Sequence, residues 1–255
     1  MMLIITAILL VIAMIIFLFY MMQEKIILHP GGNKKDVAMY EDVYYWKYGI
    51  ALQPNINHNN VLIFIYGNAG QSQHYTSQIN FLLKDTNFDG YIIDYPGYSA
   101  CSDLEVGVEN TKTHVKNALL NIKDKYEGNI YVMGFSMGCS FASYASQTVN
   151  IDKLILINPF TTLADIAKNL MYIPNWFVRY DLNNMSWLTN AVKNGNVNNV
   201  IIISNREDNV ILSTFHDMVY ENVNKLNIVV EKYDCDGGHM DWEKRLDFIK
   251  LFIYS

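Results

Sequence analysis

The stretch Ile130-Tyr131-Val132-Met133-Gly134-Phe135-Ser136-Met137-Gly138 decides the fold. Its opening residues are apolar and partly β-branched, as a buried strand requires, and the small run Ser140 to Gln147 that follows suits a helix packed beneath a sheet. Between them stands a serine with a glycine two residues to either side. A sharp strand-to-helix turn of this kind holds the serine backbone in a strained conformation with its hydroxyl outward, and the glycines let the turn close without side-chain clash. The glycine spacing alone arises by chance. Its place between a strand and a helix is what makes Ser136 the candidate nucleophile.

Such a serine needs an acid and a base from the ends of later strands, in the chain order Ser, Asp or Glu, His. Val200-Ile201-Ile202-Ile203-Ser204 is an apolar run of strand length that empties into Asn205-Arg206-Glu207-Asp208-Asn209. Asp208 is the candidate acid, and Glu207 replaces it if the loop register differs by one residue. Ile228 to Tyr233 forms the last strand, followed by Asp234-Cys235-Asp236-Gly237-Gly238 and then His239. His239 is the expected general base, which takes the serine proton while the acid fixes its tautomer and stabilises the imidazolium. Asp241 is expected to cap the closing helix near Trp242. His29, His58, His114 and His216 have no serine or carboxylate at useful spacing, and surface or structural roles are expected of them.

Acyl transfer at a serine also requires two backbone N–H donors for the developing oxyanion, one after the nucleophile and one after an earlier strand. Val61 to Tyr66 is that strand, and Gly67-Asn68-Ala69-Gly70 is the small-residue turn behind it. Met137 and Asn68 are the expected donors, with Ala69 the alternative to Asn68. A phosphate loop is disfavoured because neither Gly-Lys-Ser/Thr nor G-x-G-x-x-G spacing is present.

Several segments together resemble the Bem46-like, membrane-associated branch of the α/β-hydrolase superfamily. Gly67-Asn68-Ala69-Gly70-Gln71 with His74 is similar to that group's H-G-N-A-G-N loop, Asp94-Tyr95-Pro96-Gly97-Tyr98-Ser99 to its D/E-Y-x-G-Y-G turn, and Asn158-Pro159-Phe160-Thr161-Thr162-Leu163 to its N/T-x-F-T-S-L segment. The resemblance runs from about Ile26 to the C-terminus and implies Ser136, Asp208 and His239 as the triad. Three departures stand out: Tyr66 in place of a histidine, Cys139 in place of a second glycine after the turn, and no proline after the acidic loop.

The layout expected from hydrophobic patterning is an opening antiparallel hairpin over Val37 to Leu52, strands near 61–66, 90–94, 130–135, 153–157, 200–204 and 228–233, and helices between them, including Leu104 to Tyr126 and Lys244 to Ile253. This alternation implies an α/β fold with a mostly parallel sheet covered by helices. A short lid is expected over Thr162 to Asn199, its Pro174, Trp176, Phe177 and Trp187 either packing on the sheet edge or touching substrate.

Met1 to Met22 carries no charged side chain and is long enough to span a bilayer. A retained signal-anchor over residues 1–22, followed by a hydrolase domain over 26–255, is expected rather than a cleaved signal peptide, because no basic residue precedes the apolar run and no A-x-A-like site ends it. Lys25, Lys34 and Lys35 follow the span, which places the hydrolase domain in the cytosol by the positive-inside tendency. Three cysteines, Cys101, Cys139 and Cys235, form no metal-binding or disulfide pattern, so neither metal nor cofactor is expected. The excess of 25 acidic over 19 basic residues argues against nucleic-acid binding. Oligomeric state is not readable. The expected activity is hydrolysis of ester or thioester bonds in lipid or acylated substrates through an acyl-enzyme, with a peptidase of the same fold or a non-catalytic membrane-tethered interaction module as alternatives.

Overall fold

A computed structural model describes residues 2–30, 43–52, 58–180 and 182–254. A helix α1 (Met2–Ile27) precedes strands β1 (Val43–Trp46), β2 (Gly49–Leu52) and β3 (Asn60–Ile65) and helix α2 (Thr76–Leu83). Then come β4 (Phe88–Ile93), α3 (Val108–Lys123), β5 (Ile130–Phe135), α4 (Met137–Ala145) and β6 (Lys153–Ile157). Helices α5 (Leu163–Met171) and α6 (Asn184–Lys193) lead to β7 (Asn199–Asn205), α7 (Ser213–Asn224), β8 (Val229–Cys235) and α8 (Leu246–Tyr254).

The eight strands form one sheet in the order β1-β2-β4-β3-β5-β6-β7-β8. β1 pairs antiparallel with β2, and β2 with β4; every other pairing is parallel. The expected hairpin is therefore present over Val43 to Leu52, while its residues 37–42 lie outside the described residues. Parallel strands joined by crossover helices are covered on both faces, and β4, β5 and β6 are buried along their whole length. That is why they read as unbroken apolar runs instead of alternating ones. α2 packs on α8, and α3, α4, α6 and α7 pack in series. Because β3, β5, β6, β7 and β8 all point the same way, the loops leaving their C-terminal ends gather at one edge of the sheet.

α1 has two characters. From Ile4 to Leu18 its side chains are exposed and, Thr6 aside, apolar, and Ile4–Ile27 is long and apolar enough to cross a membrane, a test that a signal sequence also passes. The helix runs five residues beyond the expected end at Met22, because Gln23 and Glu24 are used in tertiary contacts. The Gln23 side chain donates to the Phe177 carbonyl (2.7 Å) and accepts from the Arg179 N–H (2.7 Å). Glu24 Oε1 accepts the Val108 N–H (2.6 Å), capping α3 with a carboxylate from another element. α3 accordingly starts at Val108, four residues later than expected, with Val115, Leu119 and Ile122 buried as the spacing predicts. Asp241 does not cap the last helix: its Oδ2 accepts the Gly238 N–H (2.8 Å) and braces the Gly-Gly turn, and the chain passes through a 3-10 turn, Asp241–Arg245, before α8.

Candidate active site

Ser136 sits at φ 54°, ψ −120°, between β5 and α4. A non-glycine residue there costs on the order of 1–3 kcal/mol and persists only where its surroundings enforce it. Here the two glycines do so. A Cβ at Gly138 would lie 2.0 Å from the Ile65 carbonyl oxygen, and one at Gly134 would lie 2.8 Å from Cys139 Cα. The Ser136 N–H donates to the Ile157 carbonyl (2.9 Å), fixing the turn to the neighbouring strand.

Three side chains from the sheet edge meet in a line. Ser136 Oγ lies 3.0 Å from His239 Nε2, and His239 Nδ1 lies 2.6 Å from Asp208 Oδ2. An ionised carboxylate only accepts, so it selects the Nδ1–H tautomer and leaves Nε2 free to accept the serine proton. Asp208 is buried, and its other oxygen accepts the N–H groups of Val210 and Ile211 (2.8 Å each). Glu207 is exposed, and the contact with His239 is made by the second of the two neighbouring acids.

Two amides that sequence reading passed over hold the histidine loop. Asn158 Nδ2 donates to the His239 carbonyl (2.9 Å) while its Oδ1 accepts the Asn205 N–H (2.9 Å). Asn205 Nδ2 donates to the Gly238 carbonyl (2.8 Å). The only sequence signal for Asn158 was its place at the head of the Asn158-Pro159-Phe160-Thr161 segment.

Asn68, Ser136 and Met137 line one cavity of about 240 Å³. Met137 is the first residue of α4, where a helix leaves its N–H without an intrahelical carbonyl. The Asn68 side chain is engaged: its Oδ1 accepts from the Ala69 N–H (2.9 Å), the Tyr98 hydroxyl (3.0 Å) and the His29 N–H (3.1 Å). Below the loop, Tyr66 is held by a buried network. Its hydroxyl donates to buried Asp94 Oδ1 (2.6 Å), its carbonyl accepts from the Tyr95 hydroxyl, and its ring stacks on Tyr75 at 5.6 Å. Asp94 also accepts from the Ser72 hydroxyl (2.8 Å), and burial still pushes its carboxyl up to about 6.

Cys139 is fully buried and donates to the Gly134 and Ile157 carbonyls, and burial pushes its thiol up, so it packs beneath the turn as an unreactive group. Three histidines set aside in the sequence also take structural partners: His58 on Asp89 (2.8 Å), His114 on Cys101 (3.6 Å) and His216 on Ser204 (2.8 Å). No group of side chains able to hold a metal occurs among the described residues.

The family profile described as alpha/beta hydrolase fold matches residues 60–211. This chain belongs to the alpha/beta hydrolase fold family. Solved members of similar fold include an esterase from Pyrococcus furiosus (18% identity, TM-score 0.61, covering 88% of this chain and 94% of that one). An acyl-protein thioesterase 2 from Zea mays is also similar (14% identity, TM-score 0.55, 80% and 96% covered). So is an acylaminoacyl peptidase from Pyrococcus horikoshii (13% identity, TM-score 0.58), of which 86% of this chain covers 42%. Comparison with curated proteins gives no match. Three substrate classes on one hydrolase fold mean that the fold does not choose among them.

The cavity wall bears on that choice. Beyond the three residues named above, it is built from Phe160, Val210 and Ile211, from Leu163, Ile166, Ala167, Leu170, Met171, Ile173 and Val178 of the segment between β6 and β7, and from Phe19, Gln23, Ile26 and Ile27 of α1. Trp176, Phe177 and Trp187, for which packing on the sheet edge or contact with substrate was expected, are not among its lining residues. Trp187 packs edge-on against Tyr144 (5.2 Å), and Phe177 stacks on Phe19 (6.0 Å).

Proposed function

We propose that this hydrolase is a membrane-anchored serine esterase or thioesterase of the Bem46-like branch, acting on acyl or lipid-type substrates. Ser136 Oγ attacks the acyl carbonyl as His239 Nε2 takes its proton, and Asp208 stabilises the imidazolium. The Met137 and Asn68 N–H groups receive the oxyanion. The alcohol or thiol departs with the proton from His239, and water, deprotonated by the same ring, releases the acid and restores the serine. The observation that carries the reading is the continuous Ser136–His239–Asp208 contact at the end of an almost wholly apolar cavity. Such a wall suits an acyl chain better than a peptide, which brings polar backbone groups that need partners.

Retention of α1 as an anchor is supported by Gln23 and Glu24, which the rest of the protein uses for hydrogen bonds, and by the apolar, all-round exposure of the turns before them. Lys25 beyond that span supports a cytosolic hydrolase domain. The test is a fluorophosphonate label on the full chain followed by a panel of esters and thioesters. Ser136→Ala should abolish labelling and lower turnover by about 10⁴-fold or more while leaving the fold intact. Labelling of the variant at the wild-type rate would sink the assignment.

A further inference from the structure

The end of α5 and the chain that follows it present apolar side chains to solvent that the fold does not cover. Leu170 is 46% exposed, Met171 56%, Tyr172 90% and Trp176 83%. Tyr172 ends α5 in a left-handed conformation (φ 56°), which a bulky residue adopts rarely. Isolated exposed apolar residues are ordinary, but four within seven positions form a patch.

Three observations say what covers it. The patch is continuous with α1: Trp176 meets Phe177 edge-on at 5.9 Å, and Phe177 in turn contacts Phe19 at 6.0 Å and Tyr20 at 5.5 Å. The level is also right. About 20 residues cross the hydrocarbon core, and counting them from Ile4 ends at Gln23, so Phe19 and Tyr20 lie within about one helical turn of the boundary where aromatic side chains gather. Finally, cations flank the patch as an anionic or zwitterionic headgroup layer favours, Lys168 before it and Arg179 after it, both exposed.

We propose that this lid tip is a second membrane contact, immersed in the phospholipid interface beside α1, and that the cavity opens through it so that an acyl chain passes from the bilayer to Ser136 without crossing water. Leu170 and Met171 belong to both the exposed patch and the cavity wall, and Ile26 of α1 is likewise half-exposed and lines the cavity. The patch and the pocket mouth are thus the same surface. Docking rests on the anchored-hydrolase reading, and the tip supplies that reading with a route for the substrate.

The test uses the full chain in phosphatidylcholine vesicles. With brominated acyl chains in the bilayer, tryptophan emission of the wild type should be quenched, and most of that quenching should vanish in Trp176→Phe; equal quenching in the two proteins overturns the proposal. Tyr172→Ser/Trp176→Ser, which changes no cavity-lining residue, should lower hydrolysis of a vesicle-borne oleoyl ester by about tenfold or more while hydrolysis of a soluble butyryl ester stays within about twofold. Equal effects on the two esters, whether no change or equal loss, overturn it as well. A wild type that cleaves neither ester defeats the hydrolase reading instead, and the quenching result then decides the membrane contact by itself.

Discussion

The turn that carries Ser136 and the segment that roofs it are built on opposite principles. At the turn, backbone atoms approach so closely that the residue types are dictated: glycine at 134 and 138, and a strained serine between them. In the roof, the Gln23–Phe177 hydrogen bond aside, α5 and the 3-10 turn Asn175–Phe177 face the cavity and α1 with apolar side chains that other apolar side chains would replace. The turn is specified by steric exclusion and the roof by loosely specified apolar surface. The two regions should therefore respond to substitution in different currencies, turnover for the first and substrate preference for the second.

The largest effect separates the two acids beside the turn. Asp208→Asn should lower turnover by on the order of 10⁴, because the amide presents the wrong partner to Nδ1, whereas Glu207→Gln, altering an exposed side chain, should be near wild type. The reverse order in purified proteins would place the acid one residue earlier. In the roof, Ile166→Trp fills cavity space without touching the triad, so a decanoyl ester should lose about tenfold or more relative to a butyryl ester, with thermal stability little changed. Equal loss on both esters would erase the contrast between the regions. Asn158→Ala removes the amide that ties His239 to β7 and should lower turnover by about tenfold with a small change in KM, as a positioning residue does. A wild-type turnover would mean that Asn205 alone holds the loop.

A last effect, read in stability instead of turnover, concerns pH. Burial holds the rings of His114 and His216 down at about 4 in the folded protein, below the ~6.5 of an unfolded chain. Between these values the unfolded state binds the additional protons, so stability that is complete above about 6.5 is lost as pH falls toward 4, on the order of 3 kcal/mol per ring. Asp94, pushed up to about 6, opposes this in the same window, since its folded form prefers the proton. Two rings outweigh one carboxyl, and the urea midpoint should fall from neutral pH to pH 4.5, less steeply in His216→Gln. A midpoint that rises on acidification would show that Asp94 dominates.

The sheet and the turn were legible because each rests on a local pattern: β-branched runs of strand length, and glycines whose spacing answers a steric demand. Ser136, Asp208 and His239 could be put forward together because each follows such a run. What stayed hidden depends on contacts between distant segments. Nothing around Glu24 announces that its carboxylate caps a helix beginning at Val108, and nothing in Phe19, Ile26 or Ile27 distinguishes a cavity wall from the rest of an apolar helix. The Tyr66–Asp94 pair is hidden in the same way: Tyr66 ends an apolar run, and nothing near it in the chain names the buried carboxylate 28 residues later that accepts its hydroxyl.

The described end of α1 packs directly onto the rest of the protein. Leu28 is wholly buried, and the N–H of the next residue, His29, is bonded to the Asn68 side chain in the loop facing Ser136. A hydrolase on a slack tether would sample substrate in a volume around its anchor. If α1 is seated in a bilayer, as proposed above, the serine would instead be held near a fixed height and its encounters would become two-dimensional. Its rate should then follow the mole fraction of substrate in the membrane, so that diluting the substrate with inert lipid slows the reaction even when the amount per millilitre is unchanged.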